Sequence, residues 1–175
     1  MNVGKLESLF ALGLGSLALS ANPASAQQPV QPEARCVVRV VVDGDTFYCG
    51  DGRKVRLIGI DSPEREQGPL GSRAQQALLR MLPTGSQVQL EHDVTLSDRY
   101  GRLLAYVWVG PTLVNEAMVR DGWAVLYTVP PNVKYAERFR RAQNEARAGG
   151  AGLWAQDGFA CLPKDFRKRV CLSSP

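Results

Sequence analysis

The apolar positions alternate over short stretches, which predicts strands, and recur at helical spacing over three longer ones. Residues 37–42 (VVRVVV) are β-branched and predict a strand. Asp43-Gly44 is a two-residue hairpin signal, and residues 45–49 (DTFYC) return as a second strand. In that register Val42 faces Asp45 and Val38 faces Cys49, with Cys36 diagonal to Cys49. Gly50-Asp51-Gly52 turns the chain again. Residues 54–60 (KVRLIGI) predict a third strand, with Val55 and Leu57 on one face and Arg56 on the other. Residues 87–95 alternate, with Val88, Leu90 and Val94 inward, and residues 103–109 (LLAYVWV) give a fifth strand. Helical signals cover 72–82, capped by Ser72 and ended by Pro83, then 114–120, then 134–148, where Tyr135, Phe139, Ala142 and Ala146 share a face. Five short strands, with one helix after the third and others after the fifth, predict an α+β fold: a five-stranded OB-type β-barrel with about three helices.

A different pattern precedes the strands. Residues 9–19 are an apolar run too short to span a membrane, followed by Ala24-Ser25-Ala26, a small-x-small cleavage signal. We therefore expect a signal peptide over 1–26, a Pro-containing linker over 27–35, the folded domain over 36–156, and a basic cysteine-containing tail over 157–175. The expected destination is the periplasm or the medium, with no membrane span. Export changes the meaning of the four cysteines, Cys36, Cys49, Cys161 and Cys171, which become disulfide candidates. Four cysteines allow three connectivities, of which local pairing, 36 with 49 and 161 with 171, is the simplest. Cys36 and Cys49 lie about 7–8 Å apart on a flat sheet diagonal, so twist or a bulge would have to close the gap.

Charge and histidine content narrow the chemistry. The 175 residues carry a formal net charge of +4, a mild excess that suits a phosphate-rich partner. The single histidine, His92, excludes a two-histidine ribonuclease scheme and a histidine-ligated zinc site. It is expected on the surface of a strand.

The informative segments are Asp43-Gly44-Asp45-Thr46, then Arg56 through Asp61-Ser62-Pro63-Glu64, then Asp98-Arg99-Tyr100-Gly101-Arg102. Phosphodiester hydrolysis adds charge to an anionic phosphorus centre, so it needs electrostatic stabilisation and a positioned water. Asp45 and Asp61 are candidate oxygen ligands of a hard divalent cation. Arg56 and Arg102 offer bidentate forks for phosphate. Glu64 is a candidate to orient or deprotonate water. Taken singly, each residue has a plain alternative: a turn aspartate, a strand arginine, a loop glutamate.

In order and spacing these segments, with Val114-Asn115-Glu116-Ala117 and Gly122-x-Ala124, resemble the staphylococcal nuclease family from about residue 37 to 155. The resemblance implies a nuclease of DNA and RNA that breaks the 5′ P–O bond and leaves 3′-phosphates, with Ca²⁺ as cofactor. It implies metal binding by Asp45, Asp61 and the backbone carbonyl of Ser62, and catalytic roles for Arg56, Glu64 and Arg102. Tyr100 and Tyr127 would bind substrate, single strands being preferred, and the protein is expected to be a monomer. Val129 stands where the family has another tyrosine, and residues 65–71 are shorter than the family's lysine-bearing loop. A noncatalytic nucleic-acid-binding barrel of this kind has its catalytic residues replaced, whereas all five charged positions are intact here, and a secreted disulfide-held structural domain would leave the placement of these charges without a purpose.

Overall fold

The computed structural model describes Met1 and residues 34–172. The expected signal peptide beyond Met1, and the linker as far as residue 33, lie outside the described residues. The chain divides into two units, Met1–Gln31 and Pro32–Pro175, and only the second is described below.

In chain order the elements are β1 (Ala34–Val41), β2 (Thr46–Cys49), β3 (Lys54–Leu57), β4 (Ile60–Asp61), α1 (Pro69–Met81), β5 (Gln87–Glu91), β6 (Leu103–Val109), β7 (Thr112–Leu113), α2 (Val114–Arg120), β8 (Val125–Leu126), α3 (Ala136–Ala148) and α4 (Pro163–Arg167). Strands pair in the order β3-β2-β1-β5-β6, and a parallel pairing of β3 with β6 closes the barrel. A closed barrel has no free edge along these five strands. Alternation is kept where it was expected: Val88 and Leu90 point inward, as do Val55 and Leu57. Phe47, Tyr106, Met118 and Phe139 fill the interior between the barrel, α2 and α3. No helix among the described residues is long and apolar enough to cross a membrane.

The structure corrects several boundaries, each for a local reason. The first hairpin is not a two-residue turn. Val42 N–H donates to the Thr46 carbonyl at 2.8 Å, so the loop is Asp43-Gly44-Asp45. A bulge between Val38 and Val40 then restores the expected pairing of Val38 with Cys49. With the strands bent there, Cys36 and Cys49 have Cα atoms 5.6 Å apart and form a disulfide. Cys161 and Cys171 form the other, at 5.7 Å.

The third strand ends at Leu57 instead of running to 60. Gly59 takes a left-handed φ of 79°, and Ile60–Asp61 leaves the barrel to pair with Val125–Leu126. The fourth barrel strand, β5, stops at Glu91, because Asp93 turns its carboxylate to the Tyr106 hydroxyl and the Lys134 N–H, both at 3.0 Å. Val94 is therefore exposed, not inward. His92 lies just past that strand, with its Nδ1–H donating to the Leu104 carbonyl at 2.9 Å. The first helix starts three residues early, with Pro69 in its first turn, where the missing N–H costs nothing. The fourth helix, in the basic tail, had no expectation behind it.

Candidate active site

The three-residue loop and the break after β3 bring the two aspartates together. In the loop, Asp45 N–H donates to Asp43 Oδ1 at 3.0 Å, which fixes its curl. A Cβ on Gly44 would lie 2.7 Å from the Cβ atoms of both Ala74 and Ser62. Only glycine lets the loop settle this closely between α1 and the segment after β4. The buried side chain of Asp45 is then held at both oxygens. Oδ2 accepts from the Ser62 N–H at 2.9 Å and the Ser62 hydroxyl at 3.0 Å, and Oδ1 accepts from the Thr46 hydroxyl at 2.9 Å.

Asp61 is positioned from the other side by the pairing of β4 with β8. The turn leading to it is pinned by Asn115, which is fully buried on α2. Its amide donates to the carbonyls of Ile58 at 2.9 Å and Ala105 at 3.2 Å, and its oxygen accepts from the Val107 N–H at 2.9 Å. The sequence singled out Asn115 only as part of a motif. Its bonds give it a scaffolding role.

Arg56 joins the two carboxylates. One terminal nitrogen lies 2.7 Å from Asp45 Oδ2, and the other 3.1 Å from Asp61 Oδ1. The fork is steadied by the carbonyls of Leu57 at 3.3 Å and Ile60 at 3.0 Å. Burial pushes the Asp45 carboxyl up, but the Arg56 guanidinium and the Ser62, Asp43 and Thr46 bonds outweigh it and hold it below the usual range. Asp43 shows the opposite balance: burial and the neighbouring Asp45 charge raise it to about 7. Burial also raises Asp61, against the pull of Arg167 and Arg56.

Across the cleft, Arg102 Nε donates to Asp98 Oδ2 at 2.7 Å, and its guanidinium lies over the Tyr100 ring at 5.5 Å. Its terminal nitrogens make no hydrogen bond among the described residues. Tyr100 and Tyr127 are exposed at the mouth. A single cleft of about 870 Å³ is lined by Asp45, Arg56, Asp61, Glu64, Tyr100, Arg102 and Tyr127, along with Val129. Of the expected site residues, Ser62 alone is not part of the cleft lining, and its N–H and hydroxyl reach the site through Asp45.

Sequence reasoning missed Arg167, which also lines this cleft. It reaches in from α4 and bonds both oxygens of Asp61, at 3.0 and 2.8 Å, and Glu64 Oε1 at 2.6 Å. The signal available was a cationic segment closed by two cysteines. Nothing in that spacing says where the segment docks.

The donor set can be tested against a metal. Among the described residues no group of three or more His, Cys, Asp or Glu side chains is arranged to hold an ion. Asp45 and Asp61 nonetheless converge on one guanidinium with hard oxygen donors, and carboxylate, carbonyl and water oxygens are what a hard divalent cation takes. The residues fit such an ion and do not fit a thiophilic or imidazole-bound one.

Carboxylates and arginine forks in one open cleft of a closed barrel suit chemistry on anionic esters. Residues 54–156 match the family described as "Staphylococcal nuclease homologue". The chain is 39% identical over 127 residues to "Thermonuclease" of Staphylococcus hyicus, covering 68% of this chain and 74% of that protein. It is 35% identical over 128 residues to "Endonuclease YncB" of Bacillus subtilis (strain 168), covering 67% and 60%. A longer match, 37% over 152 residues, is to "Protein ParB" of Escherichia coli, covering 80% and 82%. The chain belongs to the staphylococcal nuclease family and is a nuclease hydrolase.

Proposed function

We propose that the protein is an exported, calcium-dependent nuclease that hydrolyses DNA and RNA, cleaving the 5′ P–O bond and leaving 3′-phosphates. The observation that carries this reading is the Arg56 fork spanning two buried aspartates in the cleft that also holds Glu64 and Arg102. Asp45, Asp61 and the backbone carbonyl of Ser62 would hold the ion, which when bound supplies Lewis-acid polarisation of a phosphoryl oxygen.

The protein's own residues supply the rest. Arg56 and Arg102 clamp the phosphate from two sides and oppose the charge that develops on its oxygens. Burial of Arg56 strengthens that interaction, because little water screens it. Glu64 orients the attacking water and accepts its proton. Tyr100 and Tyr127 offer exposed ring faces on which unpaired bases stack, which favours single strands. Two disulfides suit an oxidising compartment, and the protein acts as a monomer in this reading.

The test is digestion of single-stranded DNA and of RNA, with calcium and with chelator, beside Glu64→Gln. Calcium-dependent cleavage that largely disappears in the variant is the expected result. Salt-dependent binding without cleavage by the folded parent protein would leave a binding module and remove the catalytic reading.

A further inference from the structure

The C-terminal segment brings a third arginine to a site that already has two. Phe159 anchors its start, packing with Val125 and Leu153 against Leu70 and Leu162. The Cys161–Cys171 disulfide closes the segment into a ring that contains α4. Gln67 ties this ring to the loop of Glu64: its side-chain oxygen accepts from the Glu64 N–H at 2.9 Å, and its amide donates to the Cys161 carbonyl at 3.3 Å. Arg167, the last residue of α4, is thereby delivered to Asp61 and Glu64.

The consequence is that both oxygens of Asp61 already face a guanidinium. Oδ1 is shared by Arg56 at 3.1 Å and Arg167 at 3.0 Å, and Oδ2 is taken by Arg167 at 2.8 Å. A divalent cation that uses Asp61 competes with guanidinium charge for the same carboxylate. The two candidates are not equal. Arg56 sits on a barrel strand, 11% exposed and held by two carbonyls, whereas the Arg167 side chain is 40% exposed at the end of a five-residue helix. Arg167 is the one that can leave. The same nitrogen that bonds Asp61 Oδ1 also bonds Glu64 at 2.6 Å, so its departure frees Glu64 and Asp61 Oδ2 together while Arg56 stays on Oδ1.

We propose that Arg167 is a tethered counter-cation that competes with the divalent metal for Asp61 and occupies Glu64 until the metal arrives. It is a positioning residue that sets metal affinity and couples metal binding to the release of Glu64. This inference rests on the metal-dependent reading above. The Cys161–Cys171 ring sets its strength, because the ring holds the local concentration of the guanidinium high at the site.

The test is a calorimetric titration of calcium chloride alone into the full chain with both disulfides formed. Arg167→Met keeps the length and removes the charge, and is expected to bind calcium about tenfold more tightly than the parent, the scale of one charge-assisted contact. Arg167→Lys keeps the charge without the fork and is expected to fall between the two. The double variant Cys161→Ser, Cys171→Ser leaves Arg167 in place but frees its tether, and is also expected to bind more tightly than the parent. Should Arg167→Met not fold, the other two decide the question. Parent and variants binding within about twofold of one another overturns the competition, and weaker binding by Arg167→Met overturns it in favour of a support for Asp61. In both cases the parent still binds calcium, so the metal reading survives. No binding by any of the proteins at millimolar calcium removes both.

Discussion

The two ends of the cleft are built on different principles. At the inner end, the side chains of Asp45, Arg56 and Asp61 are 8%, 11% and 1% exposed. Each is held by partners on the barrel strands or the segments joined to them. At the outer end Tyr100 is 69% exposed, Tyr127 38% and Val129 51%. Tyr100 sits in a turn closed by the Asp98 N–H donating to the Arg102 carbonyl, and Tyr127 hangs on one backbone bond to Gly59. In the proposed reaction the inner end opposes developing charge, which works best when dipoles are fixed beforehand and water is kept away. In the same proposal the outer end accepts any base, which asks only for open flat surfaces. Residues of the inner end contact one another, and those of the outer end are expected to be replaceable one at a time. In the resemblance read from the sequence, the inner charges fit the family pattern and the departure, Val129, falls on what the structure makes the outer wall.

The largest break in this comparison is expected from Arg56→Lys. A lysine brings one point charge where a planar fork spans two carboxylates. We predict a kcat on single-stranded DNA lower by about 10²–10³, the scale of losing a preorganised donor, in a variant that still folds. Parent-like turnover would mean that the inner end does not stabilise the transition state.

A smaller effect is predicted for Asn115→Ala, which never touches the cleft. It strands the Val107 N–H and the Ile58 carbonyl in the interior, whereas the Ala105 carbonyl keeps the Ile58 N–H at 3.0 Å. The expected loss is about 3 kcal/mol of stability in urea unfolding. A loss under about 0.5 kcal/mol, the level of an ordinary surface substitution, would show that the turn before Asp61 holds without it. Gly44→Ala comes next, at about 2 kcal/mol, because the added methyl meets Ala74 and Ser62 at 2.7 Å. Since Ser62 holds Asp45, calcium binding measured by titration should weaken along with stability. An unchanged affinity in the folded variant would detach the loop from the metal end.

How much of this was legible in the sequence follows from how local each cause is. Strands with strict alternation, such as Val88 to Leu90, were readable because one face is buried and the period is fixed. The hairpin register was missed by one residue near the turn. Asp43-Gly44 looks like a two-residue turn, whereas the tertiary contact of Gly44 with Ala74 and Ser62 favours the longer loop. The break after Leu57 was missed although Gly59 marks it, since the partner that draws Ile60 and Asp61 away lies some sixty-five residues later. The charges that gather in the cleft were legible from the order and spacing of three motifs. Arg167 was not, because its placement depends on where a short disulfide-closed ring docks, and no periodicity encodes that.

The smallest expected effect tests the outer wall from the opposite direction, by gain. Val129 lines the cleft and is half exposed. Its backbone is fixed independently of its side chain: the Asn132 N–H donates to the Val129 carbonyl at 3.1 Å. Asn132 is itself tied to Thr95 by bonds of 2.7 and 2.9 Å. Val129→Tyr should therefore add a ring face near Tyr127 without moving the loop. A stacking platform contributes about 1–3 kcal/mol per base. An exposed one should sit at the low end, near 1 kcal/mol, or roughly a fivefold lower KM for single-stranded substrate. The kcat should stay within about twofold, because the inner end is untouched. A fall in kcat with KM unchanged would mean that the two ends are coupled through the Val129–Asn132 loop, and the division between a preorganised end and an interchangeable one would fail.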